Sequence, residues 1–324
     1  MKRNLLLTPG PTQVPPQICE ALSRPIIHHR TPQFQDYLKV AVEGLKEVFQ
    51  TKNDVYVMTA SGTGAMEASV CSLLSPGDRV ITVEGGKFGE RWTEICQAYR
   101  MSTEVVKVEW GHVVDAEQIK GILAKDRNIK AVFVTHCETS TGVTTDIQAL
   151  GKVIKETSAV LVVDAVSSLG VTDLQTDHWH VDVAASASHK GLMLPPGLAF
   201  ISVSPKAAAL IEQSTSSRYY FDLKEYKNAA EKIDTPFTPA IGLVIALSES
   251  LRLIKEAGLQ NLFKHYARLA MATREGAKGI GLTLFPQFSC ISNVLTAINV
   301  PVGIDGEKLV KRMRDTYGIT MAGG

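Results

Sequence analysis

Val160-Leu-Val-Val-Asp164 is a run of four apolar residues, three of them β-branched, closed by a carboxylate. A run of this kind reads as a strand buried on both faces, the form that strands take in parallel sheets. Working outward, similar short runs recur at Val55–Met58, Val80–Val83, Glu104–Val108, Ala131–Thr135, Asp182–Ser186 and Leu198–Val203. Helix-like stretches lie between them at Gly64–Leu74, Glu90–Tyr99, Ala116–Ala124 and Asp146–Thr157, several opened by a capping-type residue such as Asp115 or Thr145. The alternation predicts an α/β protein whose large domain holds a mainly parallel seven-stranded sheet. Right-handed crossovers then gather the loops that leave the strand C-termini on one edge, where ligands of such sheets bind.

Beyond Val203 the pattern changes. A helix near Lys206–Ser217 leads to a charged stretch Asp222–Lys232, the turn Thr235-Pro-Phe-Thr-Pro239 and a long apolar helix to about Leu253. A second unit then begins: a long helix from Gly258 to about Gly279, a strand around Val294–Asn299 and an amphipathic helix Gly306–Tyr317 opened by Asp305. The domains are therefore read as an N-terminal arm over residues 1–20, a large domain over 21–255 and a smaller C-terminal α/β domain over 256–324. The last stretch, from Gly318, reads as a strand or turn leading onward, so that smaller domain is expected to be truncated.

Composition limits what such a chain does. With 324 residues, 45% hydrophobic and 21% charged, it can bury one large core or two. Its 34 basic and 33 acidic residues leave a net charge of +1, which argues against nucleic acid or an anionic membrane as a partner. Five scattered cysteines without a C-x-x-C pair read as reduced thiols in a cytoplasmic protein. The three-leucine stretch near the N-terminus is too short for a secretory signal, and no window approaches eighteen uninterrupted apolar residues.

Three features carry chemistry. Thr59-Ala-Ser-Gly-Thr-Gly-Ala-Met-Glu67 follows a strand and opens a helix, so small residues let backbone N–H groups converge on an anion. It has neither the Gly-Lys-[Ser/Thr] of a P-loop nor a third glycine at position 67 for a dinucleotide fingerprint, and taken alone it fits a plain glycine-rich turn equally well. Asp164, at the end of its apolar run, needs a cation or hydrogen-bond donors, and a protonated ring nitrogen fits as well as a capped turn does. Lys190, in Ser188-His-Lys-Gly191 just past another strand, keeps company with small residues and would form a Schiff base with an aldehyde if partly desolvated. A phosphate cradle, a counter-ion and an amine, in that order, match the needs of pyridoxal 5′-phosphate.

At this point the chain resembles the class V, fold-type I aminotransferases, specifically the alanine–glyoxylate and serine–pyruvate group. The resemblance runs through Leu6-Leu-Thr-Pro-Gly-Pro-Thr12, Ser61-Gly-Thr-Gly64, Glu138-Thr-Ser-Thr-Gly-Val143, Val163-Asp-Ala-Val-Ser-Ser-Leu-Gly170, Ser188-His-Lys-Gly191, Leu194-Pro-Pro-Gly197 and Thr235-Pro-Phe-Thr238, and so spans essentially the whole sequence. It implies that Lys190 is the Schiff-base lysine and Asp164 the partner of the pyridine nitrogen. Thr63, Gly64 and Ala65 would hold the phosphate, with Ala65 standing where the family often has histidine. It further implies that Phe88 stacks on the cofactor ring, Thr139 bonds near the ring hydroxyl, Val166 packs beneath the ring and His189 touches the phosphate side. Gly10 would offer a backbone contact to substrate. Thr235 and Thr238 would reach the phosphate of a neighbouring subunit, which makes the protein a homodimer with shared sites. The substrates implied are a small amino acid and a 2-oxo acid such as glyoxylate or pyruvate.

The family's arginine for the substrate carboxylate would fall just past the end of this sequence, and no residue here matches it; Arg312 and Arg314 read as the solvated face of a helix. No metal is expected: His178-Trp-His180 has the alternation of a ligand pair but no third ligand nearby. Only Cys290 follows Lys190, in a segment that reads as the start of a strand, which disfavours a cysteine desulfurase. Other transaminase specificities, for 2-aminoethylphosphonate or ureidoglycine, stay open, as does a non-catalytic dimeric subunit of a larger complex.

Overall fold

Seven of the apolar runs join one sheet, and alternate residues along each strand serve two separate cores. The computed structural model describes residues 4–323. The chain opens with β1 (Leu5–Leu6), α1 (Pro16–Leu22), α2 (Pro32–Phe49), β2 (Asp54–Ala60), α3 (Gly62–Leu73), β3 (Arg79–Glu84), α4 (Lys87–Ala98) and β4 (Ser102–Lys107). It continues through α5 (Ala116–Lys125), β5 (Ile129–Thr135), the short hairpin β6 (Cys137–Glu138) and β7 (Val143–Thr144), α6 (Ile147–Ile154), β8 (Val160–Asp164), β9 (Val183–Ala187) and β10 (Gly197–Val203). Helices α7 (Pro205–Gln213), α8 (Leu223–Ala230), α9 (Ile241–Ala257), α10 (Leu259–Gly279) and α11 (Gly306–Tyr317) follow, then β11 (Ile319–Thr320).

The sheet order is β2-β10-β9-β8-β5-β3-β4. Every pairing is parallel except those of β10, which runs antiparallel to both β2 and β9. Val132, Val134, Leu161 and Val163 face a core closed by α1, α2, α5, α6 and α9, while Ala131, Phe133, Val160 and Val162 face one closed by α3, α4, α7 and α8. Period-two alternation with apolar residues on both faces is what a sheet covered on both sides requires. The C-terminal ends of β2, β3, β5, β8 and β9 and the start of β10 consequently share one edge, which collects Ser61, Gly86, Thr135, Asp164, Lys190 and Gly197.

Several local readings change. Helix α2 carries Phe34, Leu38, Ala41, Leu45 and Val48 on one buried face, with Thr31 accepting from the Phe34 N–H and Pro32 at its first turn, a complete amphipathic signature that a search for strand runs passes over. Asp146, not Thr145, caps α6; the Thr145 hydroxyl donates to the Thr135 carbonyl instead. The charged stretch after Tyr220 forms α8, capped by Asp222. Val294–Asn299 does not form a strand: Ile298 makes one isolated bridge with Leu284, and with no continuous neighbour to complete its ladder the run stays irregular. At the C-terminus Ile319 and Thr320 pair in parallel with Leu5 and Leu6. No helix among the described residues is long and apolar enough to cross a membrane.

Candidate active site

Lys190 sits three residues beyond β9, half-buried, with the N-terminal segment laid over it. The Thr12 N–H donates to the His189 carbonyl at 3.3 Å and the Thr12 hydroxyl to the Lys190 carbonyl at 3.2 Å. Gly10 lies so close that a Cβ there would stand 2.5 Å from Lys190 Cδ and Cε and 2.7 Å from Nζ. Burial lowers the Lys190 ammonium below the ordinary lysine range, opposed by the charges of Asp164 and Cys137. His189 is lowered as well, by burial and then by Lys190, and its buried Nδ1 has no partner among the described residues.

Asp164 ends β8 and is only 4% exposed. Its Oδ1 accepts the Val166 N–H at 2.8 Å, so the capped turn considered from sequence does form, yet it occupies one carboxylate oxygen and leaves the other without a protein donor among the described residues. Burial pushes the carboxyl up to about 6, with the Val166 N–H pulling it down, Glu138 pushing up, and Arg91 and Lys190 pulling down. Thr139 lies beside it, its hydroxyl 2.7 Å from that of Ser167.

The phosphate-cradle segment becomes the start of α3. Its N-cap Ser61 lends no side-chain oxygen to the first turn, so the Gly62 and Thr63 N–H groups face outward at the positive end of a twelve-residue helix. Gly62 is pressed on Val166, whose Cγ2 would be 2.6 Å from an added Cβ, and Ala65 is fully buried. Phe88, in the first turn of α4, is half-buried with the Arg91 guanidinium 4.8 Å from its ring centroid; Arg91 also donates to the Thr63 hydroxyl at 3.2 Å. Thr63, Gly64, Ala65, Phe88, Thr139, Asp164, Val166, His189, Lys190 and Gly10 thus lie on strand ends, helix starts and loops at one sheet edge.

Thr235 and Thr238 form no hydrogen bond with that cluster among the described residues, although the Ala240 N–H just after them donates to the Thr59 hydroxyl at 3.0 Å. Thr235 is buried on the turn before α9, its hydroxyl donating to the Phe237 carbonyl at 2.8 Å, and Thr238 is exposed. Arg30, from the His28-His29-Arg30 loop, pairs with Asp234 and donates to the Thr235 carbonyl at 3.2 Å, which fixes this turn. Sequence reasoning passes over Arg91, Ser167 and Glu138. Arg91 lies in a charged helical segment where one cation reads like any other, and Glu138 reads only as part of a motif. His178 and His180 are exposed in the loop before β9, and no group of His, Cys, Asp or Glu among the described residues is disposed to hold a metal. Cys290 is buried on a short turn, its thiol raised by that burial. Arg312 and Arg314 lie on α11, which has no buried residue.

A half-buried lysine and a buried carboxylate thus lie just past adjacent strands, next to a helix N-terminus, and comparison with known proteins identifies the lineage. Residues 5–324 match the Aminotransferase class-V family. The chain belongs to that family. It is 42% identical, over 99% of its length and 84% of the relative's, to a protein named soluble hydrogenase, small subunit, from a Synechococcus species. It is 36% identical, over 99% of its length and 83% of the relative's, to L-aspartate–glyoxylate aminotransferase of Paracoccus denitrificans. The crystal structure of an alanine–glyoxylate aminotransferase from a Nostoc species superposes with a TM-score of 0.96 at 29% identity, covering 100% of this chain and 87% of that one. Class V aminotransferases use pyridoxal 5′-phosphate. The residues present fit that group: an unpaired Asp164 oxygen for a ring N–H, an uncapped α3 terminus for a phosphate, and an amine of lowered pKa for an aldehyde.

The approach of Gly10 to Lys190 gives this aminotransferase a sharp test. Gly10→Ala puts a methyl group against the Lys190 tip, which has to shift to admit it. The expected result is a fall in kcat of about 10- to 100-fold, the scale of an ångström-sized misplacement of a reacting group, with little change in melting temperature. Unchanged kcat in a folded Gly10→Ala protein would mean the close approach has no part in the reaction.

Proposed function

We propose that the chain transfers the amino group of a small L-amino acid, alanine or serine, to a 2-oxo acid, glyoxylate or pyruvate, with Lys190 as the catalytic amine. The observation that carries this reading is the half-buried Lys190, three residues beyond β9, close enough to the buried Asp164 at the end of the neighbouring strand β8 for that carboxylate to act on its pKa. Pyridoxal phosphate, when bound, supplies an aldehyde that condenses with amines and a ring that takes up the electron pair left when an amino acid loses its Cα proton. With that group bound, the Lys190 amine would be the base that takes the proton from the amino acid's Cα and the acid that returns it. Asp164 keeps the ring nitrogen protonated, so its charge acts where negative charge develops. Thr63, whose N–H is free at the start of α3, would receive the phosphate, with Gly64, Ala65 and His189 around it; Phe88 and Val166 would contact the ring and Thr139 its hydroxyl side.

The same proposal includes a homodimer in which Thr235 and Thr238 complete the partner's phosphate site. Its support is that both lie on one turn, fixed by Arg30, and that neither hydrogen-bonds its own chain's cluster among the described residues. Five free cysteines support a cytoplasmic location. The division into an arm over 1–20, a large domain over 21–255 and a smaller one over 256–324 is proposed on the same footing.

The test is the visible spectrum of the purified protein with pyridoxal phosphate, before and after adding L-alanine, L-serine or L-aspartate. A yellow protein bleached by alanine or serine, and restored by glyoxylate, is the expected result. Bleaching by aspartate alone would move the donor toward the Paracoccus relative's. The name of the Synechococcus relative favours a second reading, a non-catalytic subunit of a larger complex; a protein that takes up no colour would support it.

A further inference from the structure

Glu138 is 4% exposed and forms no salt bridge among the described residues, yet it is a hub of hydrogen bonds. It accepts the Gly89 N–H at 2.9 Å, the Phe88 N–H at 3.2 and 3.3 Å, the Ser140 N–H at 3.2 Å and the Ser140 hydroxyl at 2.6 Å. The Ser140 hydroxyl in turn accepts the Lys87 N–H at 3.0 Å. All three leading N–H groups of α4 are therefore met by one acidic hairpin residue and its neighbour, 50 residues along the chain, while the helix's own N-cap, Gly86, offers no side chain. Any Cβ at Gly86 would lie 2.5 Å from Glu138 Cγ and Cδ, so the glycine is what admits this remote cap. The positive end of the α4 dipole and the N–H donors together offset the burial of the charge.

The position of this cap matters because of what it joins. Helix α4 carries Phe88 and Arg91, and Arg91 reaches Thr63 at the start of α3. Glu138 is followed directly by Thr139, bonded to Ser167 three residues past Asp164. We infer that Glu138 is a positioning residue that sets the Phe88 ring, and through Arg91 the phosphate cradle, at a fixed place relative to Thr139 and Asp164. This rests on the aminotransferase reading above and deepens it, since it assigns a function to a carboxylate that takes no part in proton transfer.

A double-mutant cycle on the whole protein tests it, read by the dissociation constant for pyridoxal phosphate and by the visible circular dichroism of the bound cofactor. Glu138→Gln keeps the size of the side chain but presents an amide N–H₂ to N–H donors. The expected result is a weakening of cofactor binding by about tenfold, the scale of losing a charge-assisted hydrogen bond, with an altered dichroic band. In a Phe88→Leu, Arg91→Ala background the same change should weaken binding by less than about threefold, because both groups it positions are gone. Equal losses in both backgrounds, or unchanged binding and dichroism in a Glu138→Gln protein that merely melts lower, would overturn the proposal. If Glu138→Gln does not fold, Ser140→Ala, which removes one donor to Glu138 and the acceptor of the Lys87 N–H, goes through the same cycle under the same criterion. A wild-type protein that binds pyridoxal phosphate without visible dichroism would instead count against the aminotransferase reading itself.

Discussion

Lys190→Ala should abolish amino transfer, with kcat reduced by at least about 10⁴-fold, the upper range for loss of a positioned acid–base group, before the loss of the covalent step is added. The side chain has two tasks, and alanine performs neither. In the proposed mechanism it would hold the cofactor aldehyde as an amine between turnovers and move the proton of the amino acid's Cα during them. Two measurements separate these tasks. After borohydride reduction and denaturation the wild type should retain the cofactor on a peptide containing residue 190, whereas the variant should release it. Single-turnover mixing with L-alanine should then show the proton-transfer step slowed in the variant even when cofactor is in excess. The apoprotein of Lys190→Ala should melt no lower than wild type at neutral pH. Burial disfavours the wild-type ammonium, so the unfolded chain binds its proton more tightly and the folded state loses stability below the lysine range. Wild-type turnover in a folded Lys190→Ala protein would remove the lysine from the mechanism.

Much of this site can be read from sequence because burial makes it conspicuous. Val160–Asp164 matches β8 residue for residue, since a strand covered on both faces has no polar positions to blur its limits and the carboxylate marks where the sheet edge begins. The same contrast draws attention to Lys190 beyond β9. What resists reading is long-range. Glu138 has no apolar run behind it, and its partners Phe88 and Gly89 stand 50 and 49 residues away, so only the folded chain shows that it caps α4. The reversal of β10 is equally hidden, because an antiparallel strand buried on both faces looks like a parallel one. Val294–Asn299 fails for the complementary reason: its β-branched composition is suited to a sheet, but strand formation depends on a neighbour, and among the described residues it makes a single bridge, at Leu284.

Asp164→Asn should separate stability from catalysis. Asparagine keeps an oxygen for the Val166 N–H, so the turn survives, but it cannot hold a positive charge on the ring nitrogen. Amino transfer should fall by about 10²- to 10³-fold, the scale on which a group aimed at developing charge acts, while cofactor binding weakens much less. Stability should move the other way. The buried carboxyl is raised from 3.8 to about 6, so between those values the folded apoprotein holds its proton more tightly than the unfolded chain does. A group shifted in this direction contributes stability below its unfolded pKa, and that stability is lost as pH rises through the folded value. Above pH 6 the wild-type apoprotein therefore carries the full cost of an unpaired buried carboxylate, on the order of 3 kcal/mol at 1.36 kcal/mol per pKa unit. The Asp164→Asn apoprotein should accordingly melt higher than wild type at pH 8, and the gap should close toward pH 4. Pyridoxal phosphate should raise the wild-type melting temperature more than the variant's, because a protonated ring nitrogen supplies the partner that the carboxylate lacks in the apoprotein. Full activity in the variant would remove Asp164 from its catalytic role, and a melting difference independent of pH would mean that its carboxyl does not titrate in the way its burial dictates.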